Sequence, residues 1–186
     1  WNTSQNYIDP DALHNIQHII HLSGLSIDSL WTKKNKITMY ESRVQASEIL
    51  YQECINQSIK IKTFISASAM GYYGFNQTGI KKETDNAGND WMSDLCVDWE
   101  KKADKFKLIG ARTIKLRFSL LLDKKSGLLK KTNLSFMFGV GINFSSGSQK
   151  LPWIHINDAS KFILHTLSKE SVQGVFNVAS PHKISY

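Results

Sequence analysis

Ile61-Lys62-Thr63-Phe64-Ile65-Ser66-Ala67-Ser68-Ala69-Met70-Gly71-Tyr72-Tyr73-Gly74 is the stretch on which the fold turns. Its first five residues form a short, largely apolar run, which predicts a buried strand over 61–65. The run closes in small residues, two of them bearing hydroxyls, Ser66 to Ala69. A loop rich in Gly, Asn and Thr then extends from Gly71 to about Asp90. A strand that ends in small polar residues and leads into a long loop is the usual setting of a ligand site at a sheet edge.

Helical patterns flank this strand on both sides. Upstream, Ile37, Tyr40, Val44 and Tyr51 recur at helical spacing, which predicts a helix from about Lys33 to Cys54. Downstream, Met92, Leu95, Trp99, Ala103 and Phe106 make an apolar stripe over about Trp91 to Leu108, and Gly110 is placed to end that helix. Further out, Ile19, Ile20 and Leu22 read as a buried strand closing in Ser23-Gly24, after a short helix started by Asp9-Pro10. Arg112 to Leu122 reads as a third strand and Gly127 to Phe138 as a weaker helix. A loop holds Gly139, Gly141, Ser145, Ser146, Gly147 and Ser148. Trp153 to Ile156 is extended, Asn157 is expected to cap a helix carrying Ala159, Phe162, Ile163 and Leu167, and Val175 to Ala179 is a last strand.

Short apolar strands alternating with long helices predict a parallel, doubly wound α/β sheet of Rossmann-like type. Ligands of such sheets bind beyond the carboxyl ends of the strands. The residues to watch are therefore Ser23-Gly24, Ser66 to Ser68, and Arg117 onward.

Composition narrows the function classes. The chain is 41% apolar and 21% charged, ordinary for a globular fold, and it lacks an apolar run approaching the ~18 residues a membrane helix needs. Basic residues outnumber acidic ones by 23 to 16, a net charge of +7. The lysines come as scattered pairs rather than one groove, and a helix-turn-helix, RNA-recognition motif or finger spacing is absent, so nucleic acid is a remote alternative. Cys54 and Cys96 sit in helical patterns and are expected to be buried free thiols; two isolated cysteines cannot make a zinc site alone, and no metal is expected. A signal peptide is not visible.

Several motifs occur in a telling order: His21-Leu22-Ser23-Gly24, Ser42-Arg43-Val44, Ser66 through Gly74, Cys96-Val97-Asp98-Trp99-Glu100, Leu116-Arg117 and Trp153-Ile154-His155-Ile156-Asn157-Asp158. Together they resemble the epimerase-type branch of the atypical short-chain dehydrogenases/reductases, some of whose bacterial members are labelled cell-division inhibitors. The resemblance runs from Trp1 to Val178. It implies that residues 1–186 are a partial NAD(P)-binding Rossmann-like domain, with 127–156 contributing to a substrate-side lobe. Family members begin with a strand, a Gly-rich turn and a helix that hold the cofactor pyrophosphate; this chain has no G-x-x-G-x-x-G, and its Trp1 matches the end of the family's third strand. The family also continues past Tyr186. The expectation is a fragment that supplies the nicotinamide side of a dinucleotide site and binds the cofactor weakly on its own. Location in the cytoplasm, or an organelle matrix or stroma, is expected.

The resemblance implies NADP(H), with NAD(H) possible, and hydride-transfer chemistry on an unknown small molecule. It places Ser23, Gly24, Ser66, Ala67 and Arg117 beside the cofactor. Ser68 would orient the substrate, and Tyr73 would relay a proton or pack over the pocket, a relay requiring that its pKa of ~10 be lowered. Tyr72 and His155 fall on the substrate side. Each site has a plainer reading too: a strand-to-loop turn at Ser23-Gly24, strand-end hydroxyls at Ser66 and Ser68, an acid partner for Arg117, a structural His155, and solvated or ion-paired Asp98 and Glu100. One departure is sharp. Aligning on Glu100 puts Met92 and Cys96 where the wider superfamily carries the Tyr and Lys of its Tyr-x-x-x-Lys pair. Neither can do that pair's acid–base work. The family resembled also lacks the pair, which leaves a non-catalytic dinucleotide-binding regulator of cell or organelle division as the alternative to an oxidoreductase or nucleotide-sugar epimerase.

Overall fold

A computed structural model describes residues 1–75, 79–140, 150–182 and 184–185. They divide into two compact units. The first comprises Trp1–Arg117 with Glu170–Phe176, and the second the remaining described residues. The expected loop positions Gly141, Ser145, Ser146, Gly147 and Ser148 lie outside the described residues.

The first unit is built on β1 (His18–His21), β2 (Thr63–Ala69) and β3 (Arg112–Phe118), with β7 (Gly174–Val178) completing a sheet of order β1-β2-β3-β7. β1 and β2 run parallel, His18 opposite Thr63 and His21 opposite Ser66. α1 (Lys33–Tyr40), α2 (Ala46–Asn56) and α3 (Trp91–Asp104) flank the sheet. This is the parallel Rossmann-like α/β architecture expected. Its core centres on Phe64 of β2, whose ring stacks on Phe106 at 3.6 Å with Tyr51 edge-on to Phe106 at 5.5 Å. Cys54 and Cys96 are buried and free.

Five details differ from expectation. β2 runs on through Ser66 to Ala69, because Ser66, Ala67 and Ser68 are buried and the two hydroxyls find internal partners. In β1 only Ile19 and His21 are buried while Ile20 and Leu22 are exposed, the alternation of a strand at the edge of the described sheet. The long helix is interrupted by a π turn over Glu41–Gln45. There Ser42 Oγ and Arg43 Nη1 both donate to the Met39 carbonyl, at 3.0 and 3.2 Å, competing with the regular ladder. The extra residue shifts the helix phase, so Met39 and Val44, five apart, are buried and Ile37 and Tyr40 are exposed. The expected strand over 112–122 breaks at Ser119, whose N–H and Oγ both donate to the Val178 carbonyl. Finally, the helix expected to be capped by Asn157 is capped by His155, whose Nδ1 accepts from the Asn157 N–H at 3.2 Å.

The second unit pairs β4 (Leu120–Leu122) in parallel with β6 (Trp153–His155) and carries α4 (Gly127–Met137) and α5 (Ile156–Ser168). β5 (Lys150–Leu151) and β8 (Ile184–Ser185) form a short antiparallel pair. Among the described residues no helix is long and apolar enough to cross a membrane.

Candidate functional site

At the exit of β2, Ser66 and Ser68 alternate with Ala67 and all three are buried. Ser66 Oγ donates to the carbonyl of its neighbour Ala67 at 2.8 Å. Ser68 Oγ donates to Glu100 Oε1 of α3 at 2.8 Å. Glu100 is the hub of a buried network: Arg117 grips it in a fork, Nε to Oε1 at 2.7 Å and Nη2 to Oε2 at 2.9 Å. Arg117 Nη1 donates to the Tyr73 hydroxyl at 2.8 Å and to the Glu83 carbonyl at 3.2 Å. Tyr73 in turn donates to the Lys82 carbonyl at 2.9 Å. The guanidinium also lies 3.4 Å from the centre of the Tyr72 ring. Burial works against the Arg117 charge, but the hydrogen bonds and attraction of Glu100 outweigh it and raise its pKa.

These bonds fix which hydroxyls are free. Ser68 has one proton and gives it to Glu100, so toward any ligand it offers lone pairs only. Tyr73 gives its proton to a carbonyl and receives one from Arg117. Tyr72 has no hydrogen bond from its hydroxyl to a described residue and is only half-buried.

The exit of β1 is built differently. Ser23 and Gly24 are exposed. The turn rests on Arg43 of the π turn, which donates from Nη2 to the Leu25 carbonyl at 2.8 Å, while Ser42 Oγ accepts from the Leu25 N–H at 3.0 Å. Gly24 lets the Arg43 guanidinium pack closely against the turn: a Cβ there would lie 2.8 Å from Arg43 Cζ and would push the side chain aside. The guanidinium also packs against Trp99, 5.4 Å from its ring. Burial lowers the Arg43 pKa. His21, at the end of β1, is buried; Ser47 Oγ lies 3.0 Å from its Nδ1 and donates to the Arg43 carbonyl. The Ser47 hydroxyl engages His21 at Nδ1, and Nε2 is left without a partner. Burial, with help from the Arg43 charge, pushes the His21 pKa down to about 4, so the ring is neutral at pH 7. Both His21 Nε2 and Trp99 Nε1 are buried without a hydrogen-bond partner.

On α3, Met92 and Cys96 are both buried. Burial pushes the Cys96 thiol up to about 12, so no thiolate nucleophile stands here. Among the described residues no group of three or more His, Cys, Asp or Glu is placed to hold a metal ion. His155 belongs to the second unit, where it is exposed and caps α5. A separate concavity of about 670 Å³ in the first unit is lined by Trp31, Lys36, Tyr40 and Trp91 among others, with Lys36 Nζ over both indoles.

With this geometry in view, known proteins can be compared. No family model matches the chain. An epimerase family protein of Staphylococcus saprophyticus is 34% identical over 172 residues, 92% of this chain and 58% of that protein. One from Mycobacterium leprae is 29% identical over all 186 residues, 60% of its own length. The crystal structure of the human epimerase family protein SDR39U1 (isoform 2) with NADPH superposes with a TM-score of 0.81 at 25% identity, over 91% of this chain and 58% of that one. Over nine-tenths or more of its length this chain is similar to proteins named as epimerase family proteins. It spans about 60% of the length of the curated epimerase-family relatives it matches. A nucleoside-diphosphate sugar epimerase from Corynebacterium glutamicum superposes with a TM-score of 0.83 at 26% identity, over 100% of this chain and 38% of that one.

The residue patterns alone did not single out three side chains that organise these two strand exits. Glu100 was expected to be solvated or paired, and it is the centre of the network. Arg43 and His21 were quoted only as parts of motifs. A signal for Arg43 was present: only three of the 23 basic residues are arginines, Arg43, Arg112 and Arg117. In a chain that otherwise uses lysine, arginine marks positions where a planar fork is needed.

Proposed function

We propose that this chain forms the nicotinamide-side part of a dinucleotide site, NADP(H) in preference to NAD(H), in a protein that oxidises and reduces a small substrate such as a nucleotide sugar. The observation that carries the reading is the turn after β1, where Gly24 admits close backbone approach at the carboxyl end of a parallel strand, next to the Ser66–Ser68 exit. Similarity to the epimerase family proteins and the NADPH held by the human structural neighbour support it. When bound, the nicotinamide supplies or accepts a hydride. Ser23, Gly24, Ser66, Ala67 and Arg117 line or brace the cofactor side, and Tyr72 belongs to the substrate side. Ser68 accepts a hydrogen bond from a substrate hydroxyl. Tyr73, braced by Arg117, positions the Tyr72–Tyr73 loop, and the unpaired Tyr72 hydroxyl is the better proton donor of the two.

The test uses the protein at its natural length. NADPH and NADH are titrated by calorimetry, and turnover is followed as NADPH absorbance across nucleotide sugars and simple carbonyl compounds. Micromolar or tighter NADPH binding with turnover of at least one compound is expected; no binding of either dinucleotide overturns the reading. A second reading has its own observation: Met92 and Cys96 replace the acid–base pair, and the Ser68 and Tyr73 protons are both committed internally. Tight NADPH binding without any turnover would favour that reading, a dinucleotide-sensing regulator.

A further inference from the structure

Burying a guanidinium is costly unless a counter-charge answers it. Arg117 has Glu100. Arg43 has no carboxylate within ion-pair distance among the described residues. Its partners are dipoles: the Leu25 carbonyl at 2.8 Å, the Met39 carbonyl at 3.2 Å and Ser42 Oγ at 3.3 Å. These use both Nη1 protons and one on Nη2, leaving Nε–H and the other Nη2–H without a protein acceptor. Gly24 covers one side of the group and the Trp99 ring packs nearby. The adjoining His21 supplies no negative charge, and the two groups repel when the ring is protonated. The protein has thus assembled a fixed, half-buried cation with two free N–H groups directly under the turn at the exit of β1.

We propose that Arg43 is a phosphate-binding residue whose two free N–H groups and unanswered charge meet the diphosphate of the bound dinucleotide. The inference rests on the dinucleotide reading and deepens it by naming the group that recognises the anion. Position favours the cofactor over a free phosphate or a sugar nucleotide, since Gly24 and Arg43 stand together at the strand exit where a dinucleotide crosses the sheet. A lysine would supply charge without the fork that also holds the Leu25 carbonyl.

The experiment compares wild type, Arg43→Gln and Arg43→Lys at natural length, with NADPH titrated by calorimetry at two salt concentrations and UDP titrated in parallel. Arg43→Gln is expected to weaken NADPH binding by about tenfold to a hundredfold and to flatten its salt dependence, with UDP unaffected. Arg43→Lys is expected to fall between, keeping the salt dependence. Unchanged NADPH affinity in Arg43→Gln overturns the inference while leaving the dinucleotide reading intact, as does a loss confined to UDP. Should Arg43→Gln fail to fold, the Arg43 Nε–H resonance of wild type is followed by NMR during titration with inorganic pyrophosphate and with NADPH. A saturating shift with both supports the inference, and no shift with NADPH overturns it. Wild type that binds no dinucleotide by calorimetry overturns both readings, and a pyrophosphate shift in that case would mark an anion site of another kind.

Discussion

Arg117 and Arg43 stand at the exits of β3 and β1 in one unit, with β2 between them in the sheet, and their surroundings differ in kind. Arg117 at the end of β3 is locked to a carboxylate, a phenol and a carbonyl, with a second phenol against its face. Arg43 beneath the end of β1 meets carbonyls, a hydroxyl, a glycine and an indole. The first region satisfies itself and so reads as scaffold for the loop from Tyr73 to Glu83. The second leaves a charge and two buried ring nitrogens unanswered, which is the condition of a surface prepared for something else. The residues singled out as catalytic, Ser68 and Tyr73, belong to the self-satisfied region.

The largest test of this contrast removes the answer to Arg117. Glu100→Ala strands a guanidinium that is 3% exposed, and a loss of about 3–5 kcal/mol in urea denaturation is expected. A loss below about 1 kcal/mol would mean that the network relaxes easily and is not a scaffold.

Next in size is a pH effect confined to the β1 exit. The folded pKa of His21 is about 4 against 6.5 unfolded, so the unfolded chain takes up the proton first. The stabilisation from neutral His21 is complete above pH 6.5 and is lost as pH falls toward 4, by up to roughly 3 kcal/mol. Glu48, lowered from 4.5 to about 2 with burial opposing its Lys102, Lys105 and Gln52 hydrogen bonds, loses its contribution only below pH 4.5. The window from 6.5 to 4.5 therefore isolates His21. Denaturation midpoints should fall across it in wild type and stay level in His21→Asn; a parallel fall in both would assign the effect elsewhere.

Much of this was legible in the residues, for identifiable reasons. The stripe Met92, Leu95, Trp99, Ala103 and Phe106 is buried as read, the first four on the regular, amphipathic α3 and Phe106 on the 3-10 turn that follows it. The helix from Lys33 was read in the wrong phase before Val44, because Ser42 and Arg43 compete for one carbonyl, a local choice that periodicity does not record. Ser66 and Ser68 were found as strand-exit hydroxyls, but not their partners. Ser68 reaches Glu100 across 32 positions and Arg117 reaches it across 17, and long-range pairing of charges leaves no local pattern. The capping of α5 by His155 instead of Asn157 was missed because a histidine acceptor is rare at that position.

The smallest expected effect separates the two serines of β2 and bears on whether the scaffold also touches substrate. Ser66 Oγ serves only its neighbour's carbonyl, so Ser66→Ala should change stability by less than about 0.5 kcal/mol. Ser68 donates to the Glu100 carboxyl group, and its loss should cost about 1 kcal/mol, since Glu100 Oε1 still accepts from Arg117 Nε. If Ser68 only braces Glu100, Ser68→Ala and Ser66→Ala should differ in denaturation midpoint and not in NADPH affinity or in kcat/KM on any compound turned over. If Ser68 also accepts a hydrogen bond from a substrate hydroxyl, kcat/KM should fall in Ser68→Ala alone, with NADPH affinity unchanged. The hydroxyl's fixed polarity makes this second outcome selective: an alcohol substrate can donate to Ser68 and a ketone cannot, so KM should rise for the alcohol and not for the ketone, while kcat/KM falls by the same factor in both directions because the reaction's equilibrium is unchanged.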